Sequence, residues 1–141
     1  MAITSKKWDE VAEGDELPVY KRDITRTTII AAAIASRDFE KVHHDPDAAR
    51  KAGAKDIFLN ILSTGGFIGK YLTDWSGPGG KLKKIEIKLG ATVYPGDTVI
   101  HTGKVVRKYI DGNQNLVDIQ YALSVPMGPH AWGTATLALP K

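Results

Sequence analysis

The sequence predicts an α+β fold in which an antiparallel sheet wraps around one central helix, and three observations carry that expectation. A long apolar-faced segment over 57–75 holds glycines at 65, 66 and 69. Four β-patterned segments follow it in succession. Turn clusters separate those segments, and no second long helix intervenes between them, so adjacent strands pair antiparallel and the helix lies on one face of the sheet.

Each element has a local cause. Gly14-Asp15 marks a turn, and Leu17-Pro18-Val19-Tyr20 a short strand after it. Thr25 is placed to cap a helix in which Ile29, Ile30, Ala33 and Ile34 recur at helical spacing among helix-favouring alanines. The pattern is lost near Ser36-Arg37-Asp38, and an irregular polar stretch over 40–55 contains the turn signal Asp45-Pro46. In the segment 57–75 the residues Ile57, Phe58, Ile61, Leu62, Gly65, Ile68, Gly69 and Leu72 make one broad apolar face at a period near 3.6. Each interior glycine costs a helix about 1 kcal/mol relative to alanine. Three of them imply a backbone lying close to another element, which is expected to be the sheet. Ser76-Gly77-Pro78-Gly79-Gly80 ends the helix. Strands are expected over 82–91, 98–110, 116–124 and 131–139, separated by Tyr94-Pro95-Gly96-Asp97, Asp111-Gly112-Asn113 and Pro126-Met127-Gly128-Pro129.

Bulk properties narrow the function. At 141 residues the chain has the size of a single domain, 1–141, with 43% hydrophobic and 25% charged residues. No run approaches the roughly 18–20 apolar residues of a membrane span. The leading MAITSKKWDEV lacks a signal peptide's apolar core, so a cytoplasmic protein is expected. With no cysteine there is neither disulfide nor thiol chemistry. The net charge of +3 is dispersed and no nucleic-acid motif accompanies it, so no nucleic-acid partner is expected. The four histidines, His43, His44, His101 and His130, lack metal-ligand spacing. No GxSxG, phosphate-loop or GxGxxG motif occurs, and no metal or cofactor is expected.

Candidate chemistry concentrates in Asp38-Phe39-Glu40-Lys41-Val42-His43-His44-Asp45. On a continuous helix Asp38 and His43 would point about 140° apart, at about 100° per residue. They converge only if the chain leaves helical geometry after Asp38. A carboxylate and an imidazole then flank one space in which a water donates to one and accepts from the other, and either group can move protons near neutral pH. The competing reading is a loop of solvated charges in which Asp38 caps a backbone group, and the residues alone leave both open. His44 reads as a solvated or loop residue, His101 as a surface or interface residue on its strand, and His130 has no assigned role. Lys81, Lys83, Lys84 and Lys88 read as a solvated strand face before they read as a site for coenzyme A phosphates.

The run AIASRDFEKVHHDPDAARKA, residues 33–52, resembles the hydratase motif of the MaoC-like family. There a helix ends in an aspartate, a histidine follows five residues later, and Asp-Pro comes next. Those positions are Asp38, His43 and Asp45-Pro46, and Tyr94-Pro95-Gly96-Asp97-Thr98 is similar to the family's PGDT turn. The resemblance implies a hot-dog fold and the hydration of an enoyl thioester carried by coenzyme A. Asp38 and His43 would hold the water that adds at C3 and manage the proton at C2. The backbone N–H of Asn60, at the start of the central helix, would donate to the thioester oxygen. Two departures stand out: the family reads Asn-Pro where this chain has Glu40-Lys41, and His-Gly where it has Leu59-Asn60. The second puts a side chain where a glycine ordinarily lets the thioester approach. Both departures, with the strings KDIFLNIL and TDWSGPGG, resemble the small subunits of actinobacterial steroid side-chain hydratases within the family. There the partner is a second MaoC-like chain lacking the pair. The implied partners are thus an acyl-CoA thioester and either a second copy or a different MaoC-like chain. A carrier-protein 3-hydroxyacyl dehydratase and a thioester-binding subunit without turnover are the alternatives.

Overall fold

The structure, a computed structural model, describes residues 4–141, so the first three residues of the leading segment lie outside the described residues. Six strands form one sheet: β1 (Tyr20–Asp23), β2 (Lys81–Ile85), β3 (Lys88–Leu89), β4 (Thr98–Asp111), β5 (Gln114–Val125) and β6 (Gly128–Ala138). Their order is β1-β4-β5-β6-β2, β3 also pairs with β6, and every pairing is antiparallel. The helices are α1 (Arg26–Ala35), α2 (Pro46–Lys51) and α3 (Ile61–Ser76). Ile68, Tyr71 and Leu72 of α3 are buried in one core cluster with Val99, Val117, Ile119, Leu123, Ala135 and Leu137 of the sheet. This is the expected α+β arrangement of a curled sheet around a central helix.

Differences of detail have identifiable causes. The first strand starts at Tyr20 rather than Leu17, because Leu17 spends its N–H on Gly103 O outside the β1 ladder, while Tyr20 pairs with His101. The stretch 40–55 is more ordered than expected. It contains a 3₁₀ turn, Lys41–His43, and helix α2, whose first N–H groups are met by the Asp45 carboxylate with Pro46 in the first turn. The central helix begins at Ile61, since Asn60 caps it and Leu59 donates to Val93 O. That later start turns the buried stripe. Ile61 and Leu62, expected to face the core, are 53% and 55% exposed. Thr64, Ile68, Tyr71 and Leu72 carry the stripe instead. The sheet does lie against the helix glycines, but a Cβ at Gly65 or Gly69 would meet Ile87 or Leu82 at 3.8–3.9 Å, and at Gly66 nothing, so no tight approach demands them.

The segment expected as one strand over 82–91 is broken into β2 and β3 at Glu86 and Ile87, and β2 itself carries a register shift between Leu82 and Lys84. Glu86 turns over β6, where it donates to Thr134 O and accepts from the Tyr121 hydroxyl at 2.6 Å. Gly133 permits this, because a Cβ there would stand 1.9 Å from Glu86 O. Lys81, Lys83, Lys84 and Lys88 are exposed along this edge, the solvated face expected of them, and Lys84 pairs with Glu86.

His101 corrects the sequence reading, because it is fully buried rather than a surface residue. Period-two alternation puts it on the same face as Val99, between the rings of Tyr20 and Tyr71 at 5.3 and 5.5 Å. Among the described residues neither ring nitrogen has a hydrogen-bond partner. Burial pushes its imidazole down to about 4. An unfolded chain binds a proton there near the ordinary value of about 6.5, the folded chain only near 4, so this group's contribution to stability falls as pH drops between the two. The urea midpoint is expected to fall between about pH 7 and about pH 5, and to fall less in His101→Phe. An equal fall in both proteins would remove His101 from the account.

Candidate active site

Helix α1 ends in a way that aims Asp38. Ser36 follows the last turn, and Arg37 adopts the left-handed region at φ 57°. The Arg37 N–H then donates to Ile34 O and the Asp38 N–H to Ala33 O, both at 2.9 Å. That pair of bonds is a Schellman ending with an arginine where glycine is usual. The chain therefore leaves helical geometry one residue before Asp38 rather than after it, and the carboxylate turns towards the start of α3.

His43 comes from the 3₁₀ turn that follows. It is 8% exposed, with its ring edge-on to Phe58 at 5.0 Å. Its Nδ1 lies 2.7 Å from Phe58 O. A carbonyl only accepts, so Nδ1 carries the proton and the Nε2 lone pair of the neutral ring points elsewhere. It points at Asp38, whose Oδ2 is 3.5 Å away. Two acceptors that face each other need a group with two hydrogens between them. A water donating one to each meets that need. Its oxygen lone pairs are then directed outward, as a nucleophile's must be.

Asn60 is 2% exposed and joins this pair through its side chain. Its Nδ2 donates to Asp38 Oδ2 at 2.9 Å and to Ser36 Oγ at 3.0 Å. Its Oδ1 accepts the Ser63 N–H at 2.9 Å and the Ser63 hydroxyl. The Asn60 amide, with the Glu40 N–H on Oδ1 at 3.2 Å, holds the Asp38 carboxyl below its usual range. The capping role weighed for Asp38 is thus present alongside its pairing with His43. Among the described residues the backbone N–H of Asn60 donates to no protein acceptor, and it stands at the positive end of α3.

His130, assigned no role from the sequence, is buried behind this cluster. Its Nδ1 donates to Ala91 O at 2.6 Å and its Nε2 accepts from Thr64 Oγ1 at 2.9 Å, tying the first turn of α3 to the sheet. Burial lowers its pKa, which keeps the ring neutral in that arrangement. His44 is exposed, as expected. The side-chain role of Asn60 was missed, although an asparagine directly before an apolar helix is a capping signal. The partners of Ser36 and His130 depend on tertiary placement and leave no mark in the sequence.

Recesses are found elsewhere on the molecule. One of about 610 Å³ is lined by Glu16, Lys88, Thr102, Gln120 and Trp132, and one of about 220 Å³ by Tyr20, Arg22, Phe67, Tyr71 and Trp75. Neither includes Asp38 or His43. Ile34, Phe39, Ile61 and Leu62, close in sequence to Asp38 and Asn60, are 53–67% exposed and make an apolar rim on those stretches of chain. Among the described residues no helix is long and apolar enough to cross a membrane.

The chain is 38% identical over 126 residues to the beta subunit of a 3-oxo-4,17-pregnadiene-20-carboxyl-CoA hydratase of Mycobacterium tuberculosis, covering 89% of this chain and 95% of that one. A crystal structure of the ChsH1-ChsH2 complex from the same organism superposes with a TM-score of 0.85 at 38% identity, covering 91% of this chain and 98% of that one. The R-hydratase PhaJ1 of Pseudomonas aeruginosa shares the fold, with a TM-score of 0.84 at 21% identity over 97% of this chain and 87% of that one. The model of the MaoC like domain matches residues 10–125, and the chain belongs to that family of hot-dog hydratases and dehydratases.

Proposed function

We propose that this chain hydrates the C2–C3 double bond of an enoyl-CoA thioester, with Asp38, His43 and Asn60 as its working residues and a bulky steroid side chain as the acyl group. Membership of the family makes it a hydro-lyase. The observation that carries the reading is the pair of opposed acceptors, Asp38 Oδ2 and His43 Nε2 at 3.5 Å, beside a free backbone N–H at a helix N-terminus. The steroid preference is supported by the activity named for the 38% identical relative.

The steps follow from the geometry. Water donates to Nε2 and to the carboxylate, and its oxygen bonds to C3. The π electrons move to C2 and the thioester oxygen, where negative charge grows. The Asn60 N–H and the α3 dipole face that charge, an arrangement typically worth several kcal/mol of barrier. The proton that water released onto His43 then passes to C2. One O–H bond breaks, C3–O and C2–H bonds form, and both residues return to their starting state. No metal or redox cofactor enters these steps.

The partner is proposed to be a second MaoC-like chain, with a homodimer as the simpler assembly, in the cytoplasm. Support comes from the exposed apolar rim and from the two-chain complex of the similar structure. A stable interface there would bury more than about 1,200 Å². Loss of ultraviolet absorbance of the conjugated enoyl thioester, over short, medium and steroid side-chain CoA esters, tests the activity. The steroid ester is expected to give the highest kcat/KM. No turnover of any ester, by the chain alone or with a candidate partner, overturns the reading and favours a thioester-binding subunit. Salt-sensitive activity on acidic carrier-protein thioesters alone would favour the dehydratase. Light scattering decides the assembly: an active monomer defeats the partner proposal, and an active homodimer defeats its heteromeric half.

A further inference from the structure

We infer that the Asn60 side chain is a positioning residue that clamps the Asp38 carboxylate against His43, leaving His43 as the group that carries the proton. The inference rests on the hydratase reading and deepens it. Here a nearly fully buried amide bridges three segments: the end of α1 through Ser36 Oγ, the following loop through Asp38 Oδ2, and the first turn of α3 through Ser63.

The bond pattern fixes the amide's orientation. Its oxygen is committed to the Ser63 N–H, so its NH₂ must face Asp38 and Ser36. Asp38 in turn accepts two N–H groups, one on each oxygen, from Asn60 and Glu40. Both favour the ionised form, and a carboxylate so held is a poor proton acceptor but a firm orienter. His43 is differently placed. Its Nδ1–H is spent on Phe58 O, and among the described residues its Nε2 meets no protein donor. Of the two groups that face the water, it is the one that no N–H holds in its charged form. Asp38 then aligns the water and stabilises the imidazolium that forms.

Asn60→Ser separates positioning from architecture. Serine caps a helix about as well as asparagine, but its shorter side chain cannot span to Asp38. A near-native melting temperature is expected, with kcat lowered about 10- to 100-fold, the size of one lost hydrogen bond to a charged group, and KM little changed. Asn60→Asp keeps the cap and sets a second carboxylate beside Asp38. The acidic limb of kcat/KM should move up in pH, because two adjacent carboxylates do not both ionise readily. A carboxyl-carbon NMR titration of Asp38 reads the clamp without turnover. In Asn60→Ser its midpoint should rise towards the ordinary carboxylate range. Wild-type kcat together with an unmoved Asp38 titration in folded Asn60→Ser overturns the inference. If wild-type protein hydrates no thioester, the functional reading falls, yet the titration still decides whether Asn60 holds Asp38. If Asn60→Ser fails to fold, the limb and the titration in Asn60→Asp decide, and the absence of a shift in both overturns it.

Discussion

Asp38→Asn is expected to lower kcat by about 10²- to 10⁴-fold, the range over which a positioned acid–base group contributes, with the far-ultraviolet circular dichroism unchanged. The bonds at this residue explain why an isosteric change costs so much. Oδ1 accepts the Glu40 N–H and Oδ2 accepts the Asn60 amide. A carboxamide has one acceptor and one donor end, so in either orientation an NH₂ meets another N–H. Turning the donor towards Oδ2 also presents an N–H to the water in place of an acceptor. The negative charge opposite His43 Nε2 is lost as well, and with it the stabilisation of the imidazolium. Near-normal turnover by a folded Asp38→Asn protein would sink the mechanism.

His43→Ala should be comparably damaging, about 10²- to 10⁴-fold in kcat, while His44→Ala should stay close to wild type. The two neighbours differ in everything the chemistry needs. His43 is buried, fixed by Phe58 O and directed at Asp38, whereas His44 is exposed beyond the 3₁₀ turn. The paired assay, with melting temperatures to exclude misfolding, settles which imidazole works. A dead His44→Ala beside an active His43→Ala would shift the site by one residue.

The features legible in the sequence are those that local chemistry decides. Thr25 caps α1 by accepting the Thr28 N–H, and Gly77, at φ 72°, ends α3 where a Cβ would stand 2.5 Å from Thr4 O. The PGD turn closes with Gly96 at φ 92° and the Asp97 carboxylate on the Tyr94 N–H. The Asp38–His43 spacing also survives, because one helix ending brings the pair together. What was hidden depends on partners remote in sequence. The stripe of α3 turned because its cap, Asn60, sits three residues later than the apolar pattern begins. His101 looked peripheral because burial on a strand depends on pairing register, here with Tyr20, and His130 had no assigned role because its partner, the Ala91 carbonyl, is remote in sequence. The Asn60 amide serves Asp38 across 22 positions, a distance that no local pattern encodes.

The left-handed arginine at the end of α1 bears on how such a site could be rebuilt. A non-glycine residue in that region costs on the order of 1–3 kcal/mol, which the surrounding bonds must repay. The direction of Asp38 is therefore written into the main chain rather than chosen among side-chain rotamers. A designer who grafted Asp38 and His43 alone onto another scaffold would transplant the functional groups without their aim. The transferable unit is the whole stretch from the last turn of α1 to the first turn of α3, with Arg37, the 3₁₀ turn and Asn60 moved together.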